Sequence, residues 1–201
     1  QGYNWGQYNL AIMYYNGKFL KKNYKKAFEL YRLSANQENA DAQNRLANMY
    51  YSGKGIRQDY SQALYWYKKS ANNGFHWAQY NLADMYYTGK KVSQDYNKAF
   101  KWYEQSAKQN NEEAQNMLGI MYRDGKGTKK DNVKALHYFE KSAENNFNAA
   151  FLQLGYMYRG GLGVEKNNIK AFEYFVKASD LNNYKAKCEL AKIYLDGLEV
   201  K

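Results

Sequence analysis

Apolar residues recur along this chain at helical spacing. One group occupies positions i, i+4, i+5 and i+8, as one face of an α-helix requires, and consists of Ala42, Leu46, Ala47 and Tyr50. A second group with helical spacing follows after a glycine-containing turn and consists of Ala63, Leu64, Tyr67 and Ala71. The pattern therefore predicts two amphipathic helices joined by a short turn, which we name helix A and helix B.

This pair of helices is one unit of a repeat. The leucine of helix A returns every 36 residues, without insertion or deletion, at Leu10, Leu46, Leu82, Leu118, Leu154 and Leu190. Units of this length cannot bury their apolar faces alone, so they stack on their neighbours. We therefore predict an all-α solenoid that forms a single domain over residues 1–201, with repeats at 3–38, 39–74, 75–110, 111–146 and 147–182 and a half repeat at 183–201.

Glycine, asparagine and aspartate mark the ends of the predicted helices. A glycine follows each helix A, where a positive φ can close the helix: Gly17, Gly53, Gly89, Gly125, Gly161 and Gly197. A side-chain oxygen precedes each helix B, where it can accept a hydrogen bond from a first-turn amide: Asn23, Asp59, Asp95, Asp131 and Asn167. We interpret these acidic residues as helix caps and not as catalysts.

Residues of constant size recur inside the predicted core. Small residues allow close approach of the helices at Ala47, Ala83, Gly119 and Gly155 and again at Ala27, Ala63, Ala99, Ala135 and Ala171. Two aromatic ladders fill the space between them. Helix A supplies Tyr14, Tyr50, Tyr86, Tyr122, Tyr158 and Tyr194, and helix B supplies Tyr31, Tyr67, Tyr103, Phe139 and Phe175.

The repeated motif resembles that of a known family. It reads A-x-x-x-L-[AG]-x-x-Y-x-x-G-x-G-[VIT] followed by D-x-x-[KQ]-A-x-x-[WY]-[YF]-x-K-[SA]-A, from Ala42 to Ala71 and again from Ala114 to Ala143. This is similar to the Sel-one-like repeat family, relatives of the tetratricopeptide repeats, over nearly the whole chain. The second turn glycine of the motif is missing at Phe19, Lys91 and Glu199.

The resemblance implies a right-handed α/α superhelix in which the A helices line a concave wall and the B helices lie outside. It also implies a non-enzymatic adaptor or scaffold that binds other proteins. Such proteins occur in bacterial envelope and host-interaction settings, so a bacterial source and an envelope or secreted location are favoured over the cytoplasm. The resemblance implies neither a cofactor nor a metal.

A partner would bind on the face of helix A opposite its apolar stripe, which we name the A-helix face. At about 100° per residue, positions 41, 44, 48 and 51 lie on the far side from positions 42, 46 and 50. Rigid aromatic residues mixed with asparagine and arginine are typical of an interface for a protein or peptide. The predicted partner-binding residues are Trp5, Tyr8, Tyr15, Asn44, Asn48, Tyr51, Trp77, Tyr80, Asp84, Tyr87, Asn116, Ile120, Arg123, Tyr156 and Arg159. The alternative is that tight superhelical curvature lets individual tyrosines pack against the neighbouring A helix, whereas we expect Trp5 and Trp77 to be partly exposed.

The formal net charge of +11 favours an acidic partner. Lysines concentrate at the turn and the start of helix B, in a lysine rim that contains Lys18, Lys21, Lys22, Lys25, Lys26, Lys90, Lys91, Lys98, Lys126, Lys129, Lys130, Lys134, Lys166 and Lys170. Such a stripe can bind phosphate, so binding of nucleic acid or an anionic surface is the alternative function. Exposed lysines on solvated turns are the commoner case, and a protein or peptide partner is therefore favoured over nucleic acid.

The remaining residues show no catalytic or metal-binding pattern. His76 and His137 lie far apart in the sequence, with no second ligand at metal spacing, and Cys188 does not belong to a triad. No apolar run is long enough to cross a membrane. We therefore predict no enzymatic activity, no cofactor and no metal. The two ends lack the polar caps of a solenoid, which predicts a longer array or end-to-end self-association.

Overall fold

Both helices of each predicted repeat form in the computed structural model, which describes residues 2–195. Those residues contain eleven α-helices and no β-strand. The chain divides into two compact units, residues 1–94 and residues 95–201, which we name unit 1 and unit 2. The predicted fold class, an all-α solenoid of helical repeats, is confirmed.

Helices of the two types alternate in both units. Unit 1 contains α1 (Gly2–Asn16), α2 (Tyr24–Ala35), α3 (Ala40–Ser52), α4 (Tyr60–Asn72) and α5 (His76–Thr88). Unit 2 contains α6 (Tyr96–Ala107), α7 (Glu112–Asp124), α8 (Asn132–Glu144), α9 (Asn148–Gly160), α10 (Asn168–Asp180) and α11 (Tyr184–Leu195). Odd-numbered helices are A helices and even-numbered helices are B helices. Within each unit, every helix packs against the next one along the chain.

The predicted helix caps are confirmed. Each helix B is preceded by an extended residue whose side-chain oxygen accepts a hydrogen bond from the amide three residues on; the Lys134 amide, for example, donates to Asp131 Oδ1 at 2.9 Å. The same cap occurs at Asn23, Asp59, Asp95 and Asn167. The glycines that end α3, α5, α7 and α9 are left-handed, with a φ of 72° at Gly53. Gly197 lies outside the described residues.

The two aromatic ladders are buried to different extents. The helix B ladder, from Tyr31 to Phe175, is at most 3% exposed at any member. The helix A ladder is buried or half-buried from Tyr14 to Tyr158, but Tyr194 is 71% exposed, and Leu10 of the leucine series is 38% exposed. These two residues lie in α1 and α11, whose main packing is against a single helix, α2 and α10 respectively.

Side-chain hydrogen bonds hold helix B against helix A of the same repeat. Ser34 Oγ donates to the backbone oxygen of Asn4 at 2.7 Å, and Ser70 Oγ donates to that of Ala40 at 2.6 Å. In unit 2 the Ser142 hydroxyl donates in the same way to the Glu112 backbone oxygen. Because these serines are fully buried, each bond also satisfies a hydroxyl that has left water.

The small residues of helix A lie where the ring of helix B presses closest. A Cβ placed on Gly119 would stand 2.5 Å from Cε1 of Phe139, and one on Gly155 would stand 2.4 Å from Cε1 of Phe175. In unit 1 the equivalent pair is Ala47 with a tyrosine in place of the phenylalanine. The close approach expected from the small-residue positions is therefore present, and in unit 2 it requires glycine.

Turn glycines bring the turn of one repeat against the first residue of the preceding helix B. A Cβ on Gly55 would lie 2.4 Å from the backbone oxygen of Tyr24, and one on Gly127 would lie 2.3 Å from that of Tyr96. Where this glycine is missing, Phe19 and Lys91 hold a positive φ of 68° and 72°. Both helix pairs still form around those residues, whereas Glu199 lies outside the described part of the chain.

Candidate functional site

The A helices of unit 1 form an open pocket of about 550 Å³. Its lining comes from α1, α3 and the start and middle of α5, and consists of Tyr8, Asp41, Asn44, Arg45, Asn48, Phe75, His76, Trp77 and Asn81. Four of these, namely Tyr8, Asn44, Asn48 and Trp77, are among the residues that the sequence singled out. Helical periodicity therefore identifies a set of side chains that do converge in space.

Asparagine carboxamides form the polar part of the pocket. Asn81 Nδ2 donates to Asn44 Oδ1 at 3.0 Å, which links α5 to α3. The Tyr67 hydroxyl, from α4, donates to Asn48 Oδ1. Tyr67 is 3% exposed, and burial raises the pKa of its hydroxyl well above the ordinary value of 10.0, so the group stays a protonated donor. These bonds fix the orientation of both α3 carboxamides.

Tryptophan and tyrosine rings form the apolar part of the A-helix face in unit 1. Trp77 is 36% exposed and meets the Tyr80 ring edge to face, with centroids 6.4 Å apart. Trp5 is 51% exposed and makes a similar contact with Tyr8 at 5.5 Å. Tyr8 itself is only 8% exposed because it also packs on the buried Tyr31 ring. The partial exposure expected for both tryptophans is observed.

Other predicted tyrosines of unit 1 pack inside their own repeat. Tyr15 lies edge to face with Tyr24 at 5.1 Å, and Tyr51 does so with Tyr60 at 5.3 Å. Both are half-buried, as are Tyr80, Tyr87 and Asp84. Part of the predicted face is thus closed by contacts between rings, but the partner rings belong to helix B of the same repeat and not to the neighbouring A helix of the alternative.

Two carboxyl groups on the A-helix face of unit 1 are partly removed from water. Burial raises the pKa of Asp41 above its ordinary value of 3.8, and its own backbone amide, Arg45 and His76 offset part of this effect. Burial also raises the pKa of Asp84, with a smaller opposing effect from Lys90. Among the described residues, neither carboxylate forms an ion pair.

In unit 2 the predicted arginines are engaged within the chain. Arg123 Nη1 donates to Gln153 Oε1 at 2.6 Å. Arg159 Nη1 pairs with Glu189 Oε2 at 2.7 Å, and the Tyr156 hydroxyl donates to the other oxygen of Glu189 at 3.3 Å. Both arginines therefore connect one A helix to the next, α7 to α9 and α9 to α11.

The other predicted residues of the A-helix face in unit 2 are buried or half-buried. Asn116 is 6% exposed, as its counterpart Asn44 is 5% exposed, but Asn116 Oδ1 is buried without a hydrogen-bond partner. Ile120 is half-buried against the apolar cluster that contains Phe139 and Leu154. Asn116 therefore lacks the hydrogen bond at Oδ1 that orients Asn44 in unit 1.

Several residues of the A-helix face were missed in the sequence. Arg45 and Asn81 line the pocket of unit 1, and Glu189 pairs with Arg159 in unit 2. All three occupy one phase of helix A, about 80° from the centre of the four positions used for prediction. A wider arc, drawn at the same period, would have included them.

The lysine rim is partly engaged by aromatic rings. The amine of Lys26 lies 5.3 Å from the Tyr14 ring centroid, and the amine of Lys134 lies 5.4 Å from that of Tyr122. Comparable contacts join Lys22 to Tyr24, Lys91 to Tyr60, Lys126 to Tyr96 and Lys170 to Tyr158. These contacts give the lysines a packing role, and no feature of the described residues supports the nucleic-acid alternative.

A larger recess of about 790 Å³ opens beside the turn between α3 and α4. Its lining is mostly exposed turn and first-turn residues, with Arg57 and Lys91 at its edge. It contains no buried hydrogen-bonded amide and no tryptophan. We therefore take the smaller pocket, which three helices form, as the candidate site.

Within residues 2–195, no three His, Cys, Asp or Glu side chains are grouped so that they could hold a metal ion. No helix in the same span is long and apolar enough to cross a bilayer. His76 lines the pocket of unit 1, whereas His137 is exposed on α8 and Cys188 is a half-buried free thiol in unit 2.

Paired helices at a 36-residue period, with a polar and aromatic pocket on the A helices, define a helical-repeat protein. The chain belongs to the Sel1 repeat family: the Sel1 repeat model matches residues 6–39, 40–75, 78–111, 112–147 and 150–183. The resemblance to Sel-one-like repeats is thereby confirmed. Proteins of this family are commonly protein-interaction scaffolds and are generally non-catalytic. No curated protein matches the chain.

Solved structures with the same repeat are similar over most of the chain. A Sel1 repeat protein from Oxalobacter formigenes is 31% identical over 98% of this chain and 81% of its own, with a TM-score of 0.92. A protective antigen of uropathogenic Escherichia coli is 30% identical over 99% of this chain, with a TM-score of 0.89. This chain spans only 43% of that antigen. Cysteine-rich protein B of Helicobacter pylori is 29% identical over 66% of this chain and 95% of its own, with a TM-score of 0.51.

Proposed function

We propose that this chain is a non-enzymatic scaffold that binds a peptide, loop or protein partner on its A-helix face. The pocket of unit 1 is the main contact site. The observation that carries the proposal is the composition of that pocket, in which hydrogen-bonded asparagines, with Asn44 buried, lie beside the partly exposed Trp77. Tryptophan in such a setting offers a large rigid surface at low entropy cost, as binding hot spots do.

The residues of unit 2 take a secondary place in this proposal. Asn116, Ile120 and Tyr156 are secondary contact candidates within unit 2, while Arg123 and Arg159 contribute only through the parts of their guanidinium groups that the chain leaves free. The net charge of +11 adds long-range attraction for a partner with acidic segments. Steering of that kind affects the association rate more than the final contacts.

The test uses short linear peptides displayed on phage and selected against the whole immobilised chain. Peptides that emerge are synthesised and their affinities measured by fluorescence anisotropy. We expect Trp77→Ala to weaken binding by about tenfold or more, since loss of a hot-spot tryptophan costs well over 1 kcal/mol.

Tyr65→Ala is the matched control, because Tyr65 is a 49% exposed aromatic residue of unit 1 that lies on a B helix. Its removal should leave peptide affinity unchanged within about twofold. Equal affinities of wild type and Trp77→Ala would refute the proposal, as would a selection that yields no peptide dependent on the A-helix face.

A further inference from the structure

Three asparagines of the unit 1 pocket form a connected group. Asn44 and Asn48 lie one helical turn apart on α3, and Asn81 lies opposite them on α5. Asn44 is only 5% exposed, yet it lines the pocket, so a buried carboxamide forms part of the pocket wall. Its Oδ1 is already occupied by Asn81, as Asn48 Oδ1 is by Tyr67.

These bonds leave a defined set of hydrogen-bonding groups. Within the described chain, the amide nitrogens of Asn44 and Asn48 donate no hydrogen bond, and Asn81 Oδ1 accepts none. None of the three atoms is among the fully enclosed polar atoms that lack a partner. The pocket therefore presents two donors and one acceptor at fixed positions, and a ligand that excluded water without pairing them would lose affinity.

The spacing of the two donors matches an extended peptide. Residues four apart on a helix are separated by about 6 Å along its axis. Alternate residues of an extended strand, which present their carbonyl and amide groups to the same side, are about 6.6–6.8 Å apart. The amides of Asn44 and Asn48 can thus reach the carbonyl groups of residues i and i+2, while Asn81 accepts an intervening amide hydrogen.

We propose that unit 1 binds an extended peptide segment through its main chain, held by Asn44, Asn48 and Asn81. This inference rests on the proposed function and specifies the partner class for the same pocket. Recognition of the main chain gives affinity with little dependence on the peptide sequence. The side chains of every second peptide residue then contact Trp77. The partner is a protein with an extended, non-helical segment.

Other repeats show that the fold does not need all three asparagines. In unit 2, Leu152 of α9 stands at the position of Asn44, and Ile120 and Met117 of α7 stand at those of Asn48 and Asn81. Asn116 keeps an asparagine at the Asn44 position of α7, but its Oδ1 is buried without a hydrogen-bond partner. The bond partner of Asn48 changes as well, since Phe139 replaces Tyr67 where Ile120 replaces Asn48. The hydrogen-bonded group of three asparagines is therefore not a requirement of repeat packing.

The same comparison supplies the variants. Asn44→Leu, Asn81→Met and the pair Asn48→Ile with Tyr67→Phe each introduce residues that another repeat of this chain already accommodates. We expect each to weaken the phage-selected peptides by about tenfold, while thermal unfolding stays close to wild type. Asn116→Leu makes the same change as Asn44→Leu at the equivalent position of unit 2, where the proposed contacts are secondary, and should weaken binding by no more than about threefold. An equal loss in Asn116→Leu would overturn the assignment to unit 1.

A second measurement uses the wild-type protein and alters only the peptide. Backbone amides of the selected peptide are replaced one at a time by esters, which removes a donor and weakens the adjacent acceptor. We expect losses of about tenfold that alternate along the peptide with a period of two.

The outcomes separate the two proposals. Uniform tolerance of every ester, with Trp77→Ala still abolishing binding, would overturn main-chain recognition and leave the proposed function intact. Wild-type affinity in Trp77→Ala and in all the asparagine variants would overturn both. Alternating ester losses together with weakened asparagine variants would support both.

Discussion

At the scale of one residue, Asp84 on the A-helix face of unit 1 lowers the free energy of unfolding. Its carboxylate is half-buried and unpaired among the described residues, and burial raises its pKa above the ordinary value of 3.8. The preceding repeat has Asn48 at this position, and there a neutral side chain is satisfied by a tyrosine hydroxyl. An ionised group kept in such a place is a feature that folding alone does not favour.

Asp84→Asn should therefore stabilise the protein at neutral pH, by about 1 kcal/mol. The folded-state pKa is raised, so the penalty exists while the carboxylate is ionised and disappears as pH falls below its unfolded value. The gain should shrink towards zero near pH 3. Urea denaturation midpoints of both proteins at pH 7 and pH 3 measure it, and a gain of equal size at both pH values would contradict this explanation.

Residue types along helix A predict which side chains face the pocket, but not which of them remain exposed for contact with a partner. Trp5 and Tyr8 both lie on the predicted face of α1 and differ in exposure, because Tyr8 also packs on the buried Tyr31 ring. The bond between Asn81 and Asn44 joins two helices and depends on their separation and crossing. Periodicity within one helix carries no information on that distance.

At the scale of helices and turns, sequence predicts nearly everything. The cap at Asp131 and the left-handed Gly125 fix the ends of α7 and α8 through local backbone chemistry, which needs no distant contact. Gly127, the second turn glycine, has a role that the sequence pattern does not predict. Its missing Cβ lets the turn touch the Tyr96 backbone, a contact between successive repeats that only the structure shows.

Gly127→Ala should destabilise unit 2 by about 2–3 kcal/mol, because it combines left-handed strain with a clash against a backbone oxygen that cannot rotate away. Native-state hydrogen exchange of the α7 and α8 amides measures the loss. Lys91→Gly is the control: Lys91 already holds a φ of 72° with a Cβ in place, so its replacement should change stability by less than about 0.5 kcal/mol. Similar small effects in both variants would show that close approach is unimportant at Gly127.

Across the whole molecule, the 36-residue period predicts the class of fold, and the family match confirms it. The period treats all repeats alike, however, and function depends on where they differ. Asn44, Asn48 and Asn81 form a hydrogen-bonded group in unit 1, whereas α7 of unit 2 has Ile120 at the Asn48 position and Met117 at the Asn81 position. The candidate site of unit 1 thus differs from other repeats through substitutions that leave the core pattern unchanged.

The net charge of +11 belongs to the whole molecule, and it leads to the last prediction. If the pocket of unit 1 is the binding site, charge reversal on the lysine rim of unit 2 should act on it only through long-range fields, which salt screens beyond about 10 Å. Lys129→Glu with Lys130→Glu leaves the contact of Lys134 with the Tyr122 ring in place. We expect the affinity for the selected peptide to stay within about twofold of wild type at physiological salt.

Duplex DNA provides the opposing arm of that experiment. A basic protein without a dedicated site binds duplex weakly and loses that binding steeply as salt rises, since affinity comes from released counterions. We expect such behaviour from the wild-type chain, with no binding left at physiological salt. Tight duplex binding that survives physiological salt and is lost on charge reversal of Lys129 and Lys130 would contradict binding at the A-helix face and identify the lysine rim as the binding site. Only a surface that contacts phosphates directly would respond in that way.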